Sequence, residues 1–182
     1  LELSSAASDV YKRQPEIKVG IIKLPSISNF SDFDPLENEK SLLIEWIKES
    51  QNLNKYDFII LPGSKQTIKD QIFLESSGLC QDIREYSNSN GNIVGICGGL
   101  QMLGTTLEDP YSKEGSKIYP KQKTKGIGLL PLKTTFLEKK LTRQIKSESL
   151  WPCQTKINGF EIHNGQTLSL IHISEPTRRL CI

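Results

Sequence analysis

The sequence has no apolar run approaching the roughly 20 residues that span a bilayer, and no signal-peptide pattern opens it. Both absences read as a cytoplasmic chain that inserts into no membrane. Charge bias is also missing. A formal charge of +2 and a pI near 8.3 are far from the basic footprint of nucleic-acid binders, so no nucleic acid is expected as a partner. Lysines and arginines are dispersed, and only residues 121–125 and the extreme C-terminus are locally basic. No C-x-x-C pair occurs. Cys80, Cys97, Cys153 and Cys181 stand apart, a spacing that suits neither a zinc site nor a disulfide framework, so no metal is expected and free thiols fit a reducing compartment. No internal repeat and no internal linker divides the chain. Its 182 residues, 36% hydrophobic and 24% charged, suit one globular domain with a proper core.

What is present is concentrated in residues 92–104, N-I-V-G-I-C-G-G-L-Q-M-L-G. Residues 92–96 are a short β-branched run of the kind that forms a buried strand, and Leu100, Met102 and Leu103 continue as an apolar helical face. Cys97 sits at the corner between them. Gly95, Gly98 and Gly99 surround it with small residues, as a strand needs where it reverses sharply into a helix. This is the layout of a nucleophile elbow carrying sulfur. Backbone N–H groups at a helix start favour the thiolate and can hold an oxyanion beside it. Taken alone, the same pattern also suits a small buried hydrophobe or a glycine-rich phosphate cradle.

Before the elbow, residues 17–24, I-K-V-G-I-I-K-L, read as a central strand of a parallel sheet that stops at Pro25. Residues 26–35 form a Ser, Asn and Asp-rich loop at its end, where open α/β sheets place ligands. Residues 41–48 mix alternating and helical spacing and are taken as a strand. Residues 57–61, D-F-I-I-L, form another. The Pro62-Gly63-Ser64 turn then hands over to a helix, and the Gly63 N–H can aim at an oxygen held by the elbow; without the elbow it would be an ordinary strand-to-helix turn. Helices are expected at residues 66–75 and 79–86. Residues 108–125 read as a polar surface loop, and residues 126–136 and 156–163 as strands of a late antiparallel portion. The flanks, residues 1–14 and 168–182, differ in pattern from the rest and are expected to be non-native or disordered tails around a domain at 15–167.

Five separated blocks, I-S-N-F-S-D-F-D-P-L, D-F-I-I-L-P-G-S-K-Q-T-I, G-I-C-G-G-L-Q-M-L-G, G-I-G-L-L-P and G-F-E-I-H-N-G-Q-T, together resemble the glutamine amidotransferase domain of the cobyric acid synthase family. They stand in that family's order and cover most of residues 17–167. The sister family making the a,c-diamide is a weaker match, since it usually carries an acidic residue where Ile96 stands. The resemblance implies an α/β fold of the class I glutamine amidotransferase type, flavodoxin-like and three-layered, with a mostly parallel sheet, a late antiparallel portion and a C-terminal truncation.

It further implies that Cys97 is the nucleophile attacking glutamine, that the N–H groups of Gly63 and Gly98 form the oxyanion hole, and that Ser64, Gln101 and Glu161 bind the substrate. The family passes ammonia to an N-terminal ATP-dependent synthetase domain that amidates corrinoid carboxylates. ATP and magnesium are therefore expected on that domain, and no cofactor on this one, which has no G-x-x-x-x-G-K-[ST] loop. The family's base histidine lies downstream of the E-I-H-x-G block, in a segment resembling Y-L-H-G-I-F that this chain lacks. His163 stands as an alternative base or as a pocket residue, and the fragment is expected to be weak or inactive without the base. Two other functions stay open: an amidotransferase-like module that only binds, and the amidotransferase partner of a cell-wall precursor ligase.

Overall fold

The computed structural model describes residues 17–114, 122–150 and 153–171. The flanking segment 1–14 and His172 lie outside the described residues, as does Cys181. Among the described residues, two sheets of four strands each make the framework. The first is wholly parallel, with β1 (Ile17–Ile22), β2 (Leu42–Ile47), β3 (Phe58–Leu61) and β4 (Asn92–Gly95) in the order β2-β1-β3-β4. Its central strands are buried at their carboxyl ends, through Val19, Ile21 and Ile22 on β1 and Ile59, Ile60 and Leu61 on β3. A continuous apolar run survives on a strand only where both faces are covered, which is why β1 and β3 are so readable in the sequence. β2 lies at an edge and is half-exposed on alternate residues, which accounts for its mixed spacing.

Helices α2 (Thr67–Ser76) and α3 (Leu79–Asn88) supply the covering, burying Ile68, Leu74, Leu79 and Ile83. A short helix α1 (Asp34–Glu37) follows a 3₁₀ turn at Phe30–Phe33. Helix α4 (Gly98–Met102) begins directly after Cys97.

The late strands depart from expectation in three ways. First, residues 108–125 are not simply loop, since that segment includes the last two residues of β5 (Thr106–Asp109) and all of β6 (Gln122–Lys125), which pair antiparallel. Leu107 and Asp109 point inward while Glu108 faces Lys123 and Lys133 at 3.3 and 2.8 Å, so the charges that suggested a solvated segment are cross-strand pairs. Second, residues 126–131 are not strand. The N–H groups of Ile127, Gly128, Leu129 and Leu130 donate to the carbonyls of Met102, Gly104 and Leu103, closing the carboxyl end of α4. Gly128, at φ 84°, supplies the left-handed residue this turn needs.

Third, the late portion forms its own mixed sheet, β6-β5-β7-β8, in which β5 runs parallel to β7. β7 (Leu132–Ser149) and β8 (Thr155–Ser169) form one long antiparallel hairpin with an irregularity between Phe136 and Leu141. Within β8, Leu168 and Ser169 pair with Lys133 and Leu132.

Candidate active site

The carboxyl ends of β1, β3 and β4 converge on one cleft of about 400 Å³. It is lined on the sheet side by Ser28, Ser64, Thr67, Cys97, Gly98 and Gln101, and on the hairpin side by Phe136, His163, Asn164 and Gly165. Lys65, Lys113, Glu114 and Lys140 also border it.

Cys97 holds φ 51° and ψ −109°, a region L side chains rarely enter, and its side chain is exposed. The close packing around it explains the strain. A methyl on Gly99 would sit 2.0 Å from the Leu61 carbonyl oxygen, so the helix after Cys97 passes against the end of β3 where only glycine fits. The Ile96 N–H donates to that same carbonyl at 2.9 Å, joining strand to strand one residue before the bend. α4 is only five residues long, so what it offers the thiol is its local first-turn N–H groups rather than an extended dipole.

The turn after β3 lies against the elbow. A Cβ on Gly63 would meet Ser28 Oγ at 3.2 Å and Cys97 Cβ at 3.7 Å, and one on Gly98 would meet the Ser64 backbone nitrogen at 3.0 Å. The loop leaving β1 straps this turn from the other side: Ser28 N–H donates to Gly63 C=O at 2.9 Å, and Lys65 N–H to Ser26 C=O at 2.8 Å. Gly63, Ser64, Cys97 and Gly98 are therefore within one small region.

The opposite wall comes from β8. Gly165 is buried, and a Cβ there would lie 2.5 Å from Gln101 Nε2, so the elbow helix and the hairpin touch through these two residues. His163 is held at both ring nitrogens: Nδ1 lies 2.7 Å from Gly165 C=O and Nε2 2.7 Å from a Glu161 carboxylate oxygen. Both ring nitrogens are therefore engaged by neighbours on the hairpin itself, while the residue borders the cleft. Glu161 does not line the cleft; it accepts hydrogen bonds from His163 and Arg143, and these hold its carboxyl below the usual carboxylate range.

Sequence reasoning missed Glu114. Asp109 accepts the N–H groups of Lys113 and Glu114, both at 2.8 Å, folding that loop back over the cleft, where Glu114 accepts the Thr67 N–H at 3.1 Å. Burial pushes the Glu114 carboxyl up. It lay in a stretch read as solvated loop, and only the E-D-P turn signal near it hinted at more. Ser28, Thr67 and Asn164 were missed for a similar reason, since a small polar residue in a loop carries no signal of its own. Among the described residues no group of three or more His, Cys, Asp or Glu could hold a metal ion, and no helix is long and apolar enough to cross a membrane.

Residues 18–178 match the family model of the CobB/CobQ-like glutamine amidotransferase domain. Among curated proteins, the chain is 82% identical over 156 residues to a protein of Prochlorococcus marinus strain MIT 9301 named cobyric acid synthase, covering 86% of this chain and 31% of that protein. A protein of the same name from strain NATL1A is 48% identical over 155 residues, again 31% of its length. The chain thus spans about a third of the length of the relatives it matches. Among solved structures, PurLQS from Thermotoga maritima superposes with a TM-score of 0.57 at 14% identity, over 86% of this chain and 71% of that one. That likeness concerns the fold alone.

Proposed function

The chain belongs to the CobB/CobQ-like glutamine amidotransferase domain family, and on that premise we propose that its cleft hydrolyses glutamine with Cys97 as nucleophile, in the service of cobyric acid synthesis. One observation carries this reading: an exposed thiol at a positive-φ corner that lines the cleft together with Gly98 and Ser64, with the Gly63 backbone packed against it.

The Cys97 sulfur adds to the side-chain carboxamide carbon of glutamine. The negative charge that develops on the carbonyl oxygen is met by the N–H groups of Gly63 and Gly98, each such donor being worth about 3 kcal/mol in comparable sites. Collapse breaks the C–N bond, the nitrogen takes the proton that the Cys97 thiol gave up and leaves as ammonia, and a γ-glutamyl thioester remains on Cys97. Water then adds to the thioester and releases glutamate and the thiol. Gln101 and Ser64 contact the bound substrate, and Glu161 acts through His163, whose ring it holds against the cleft. In the full-length protein the ammonia passes to an N-terminal ATP-dependent synthetase domain, with ATP and magnesium bound there, that amidates corrinoid carboxylates.

The test is glutamate release from glutamine by the full-length protein. Wild type should release it and Cys97→Ser should fall to background; equal rates in the two would remove Cys97 from the chemistry. A second reading, a module that binds without hydrolysing, is favoured by the double engagement of His163. Glutamine binding without glutamate release in the wild type would support that reading instead.

A further inference from the structure

Asp70, in the first turn of α2, has no exposure to solvent and bonds the Ser64 side chain of the oxyanion turn. Its carboxylate accepts the Ser64 hydroxyl at 2.6 Å and the Ser26 N–H at 3.2 Å from each oxygen. Ser64 Oγ in turn accepts the Gln66 N–H at 3.0 Å. A buried carboxylate is costly unless hydrogen-bonded, and here burial pushes the group up while Ser64 and Ser26 pull it down. An apolar residue would fill the same space at lower cost. What the carboxylate adds is a joint among three chain segments.

We propose that Asp70 is a positioning residue for the oxyanion turn: it clamps Ser26 and Ser64 together so that the Gly63–Ser64 backbone keeps one place beside Cys97. Three observations converge on this. Ser26 and Ser64 belong to the two segments that the Ser28-to-Gly63 and Lys65-to-Ser26 hydrogen bonds already strap together. The strapped turn is also the one whose backbone lies against Gly98 and Cys97. And Asp70 itself lines no part of the cleft, so it reaches the substrate only through that turn. The role rests on the glutaminase reading, and it predicts an effect on turnover that exceeds any effect on glutamine affinity, because the oxyanion forms only as the reaction proceeds.

Two measurements test it separately from the parent reading. In this chain, Asp70→Asn should speed amide exchange at Ser28 and Lys65 about tenfold or more, leaving Ile59 and Ile60 in the sheet core unchanged. In the full-length protein the same substitution should lower kcat at least about tenfold with little change in KM, while iodoacetamide alkylates Cys97 at the wild-type rate. Ser64→Ala, which removes the same contact, should speed exchange at Ser28 and Lys65 in the same direction, and the double variant should exchange no faster there than Asp70→Asn alone, while kcat and KM are read on Asp70→Asn only because Ser64 also faces the substrate. Unchanged exchange at Ser28 and Lys65 in both variants overturns the clamp. So does acceleration spread evenly through the parallel sheet, or wild-type kcat in a variant whose strap has loosened. Absence of glutamate release by the wild type would instead strike the glutaminase reading, with the exchange result still deciding the clamp.

Discussion

The parallel sheet and the β7–β8 hairpin are built to different standards of burial. The last four residues of β1 and the last three of β3 are buried, whereas only Gly165 is buried on the whole of β8, and β7 is exposed from Leu137 to Glu148. Phe160 on the hairpin is 70% exposed, while Ile21 on β1 is 0% exposed. The cleft lies on the seam between the two. Cys97 and the Gly63–Ser64 turn stand on the packed floor, and His163, Asn164 and Gly165 reach the cleft from the hairpin. The two walls of the cleft therefore stand on regions of unequal burial, and a substitution of one kind should cost different amounts on each side.

The largest contrast concerns thiols. Burial pushes the Cys80 thiol up to about 12 from 9.0, and its neighbour Glu75 pushes the same way, so its thiolate fraction falls on the order of a thousandfold. Cys97 on the elbow and Cys153 at the hairpin tip are exposed. Iodoacetamide on the native chain, followed by peptide mass mapping, should therefore modify Cys97 and Cys153 and spare Cys80; early labelling of Cys80 would mean that α3 is not packed on the sheet.

Glycines give the next contrast. Gly99→Ala forces a methyl 2.0 Å from the Leu61 carbonyl oxygen and should destabilise the chain by about 3 kcal/mol. At Gly159, on β8, an added Cβ meets nothing within 4 Å, and alanine there should stay within about 0.5 kcal/mol of wild type. Urea unfolding midpoints for the two variants measure the difference, and equal shifts would erase the distinction between floor and hairpin.

The smallest expected effect is the response to acid, which should differ in sign between the two sides. Asp70 and Glu114 are raised by burial, so their charged forms cost stability above the raised folded value, and that cost is relieved as pH falls toward the unfolded value. Glu161 is lowered, first by His163 and then by Arg143, so its contribution is present above the unfolded carboxylate value and is lost as pH falls through the depressed folded one. Amide exchange followed from neutral pH into the acid range should show the hairpin around residues 143 and 161 loosening before the residues 26–28 strap does. Asp70→Asn should remove the acid-side gain at the strap.

Much of the packed floor was legible in the residues themselves. β1 and β3 declare themselves by apolar runs that only doubly covered strands can carry, and the elbow by glycines spaced around one cysteine. The hairpin side was less legible, because its strands are polar and exposed and their alternation is weak. β5 and β6 were read as loop since cross-strand pairs such as Glu108 with Lys123 look like surface charge until the register is known. Residues 126–131 were read as strand since their apolar character is the same whether their N–H groups join a ladder or close the end of α4.

Local sequence determined where the chain must turn tightly, which strands are buried, and that a thiol stands at a strand-to-helix corner, because steric allowance and hydrophobic period are properties of neighbouring residues. Tertiary structure alone decided that Ser26 meets Asp70 across 44 positions, that His163 is engaged at both nitrogens, and that Glu114 folds over the cleft. Hydrogen bonds between segments distant in the chain depend on distances and angles that residue order does not contain, and here those bonds join the residues 26–28 loop to α2 and Glu114 to Thr67.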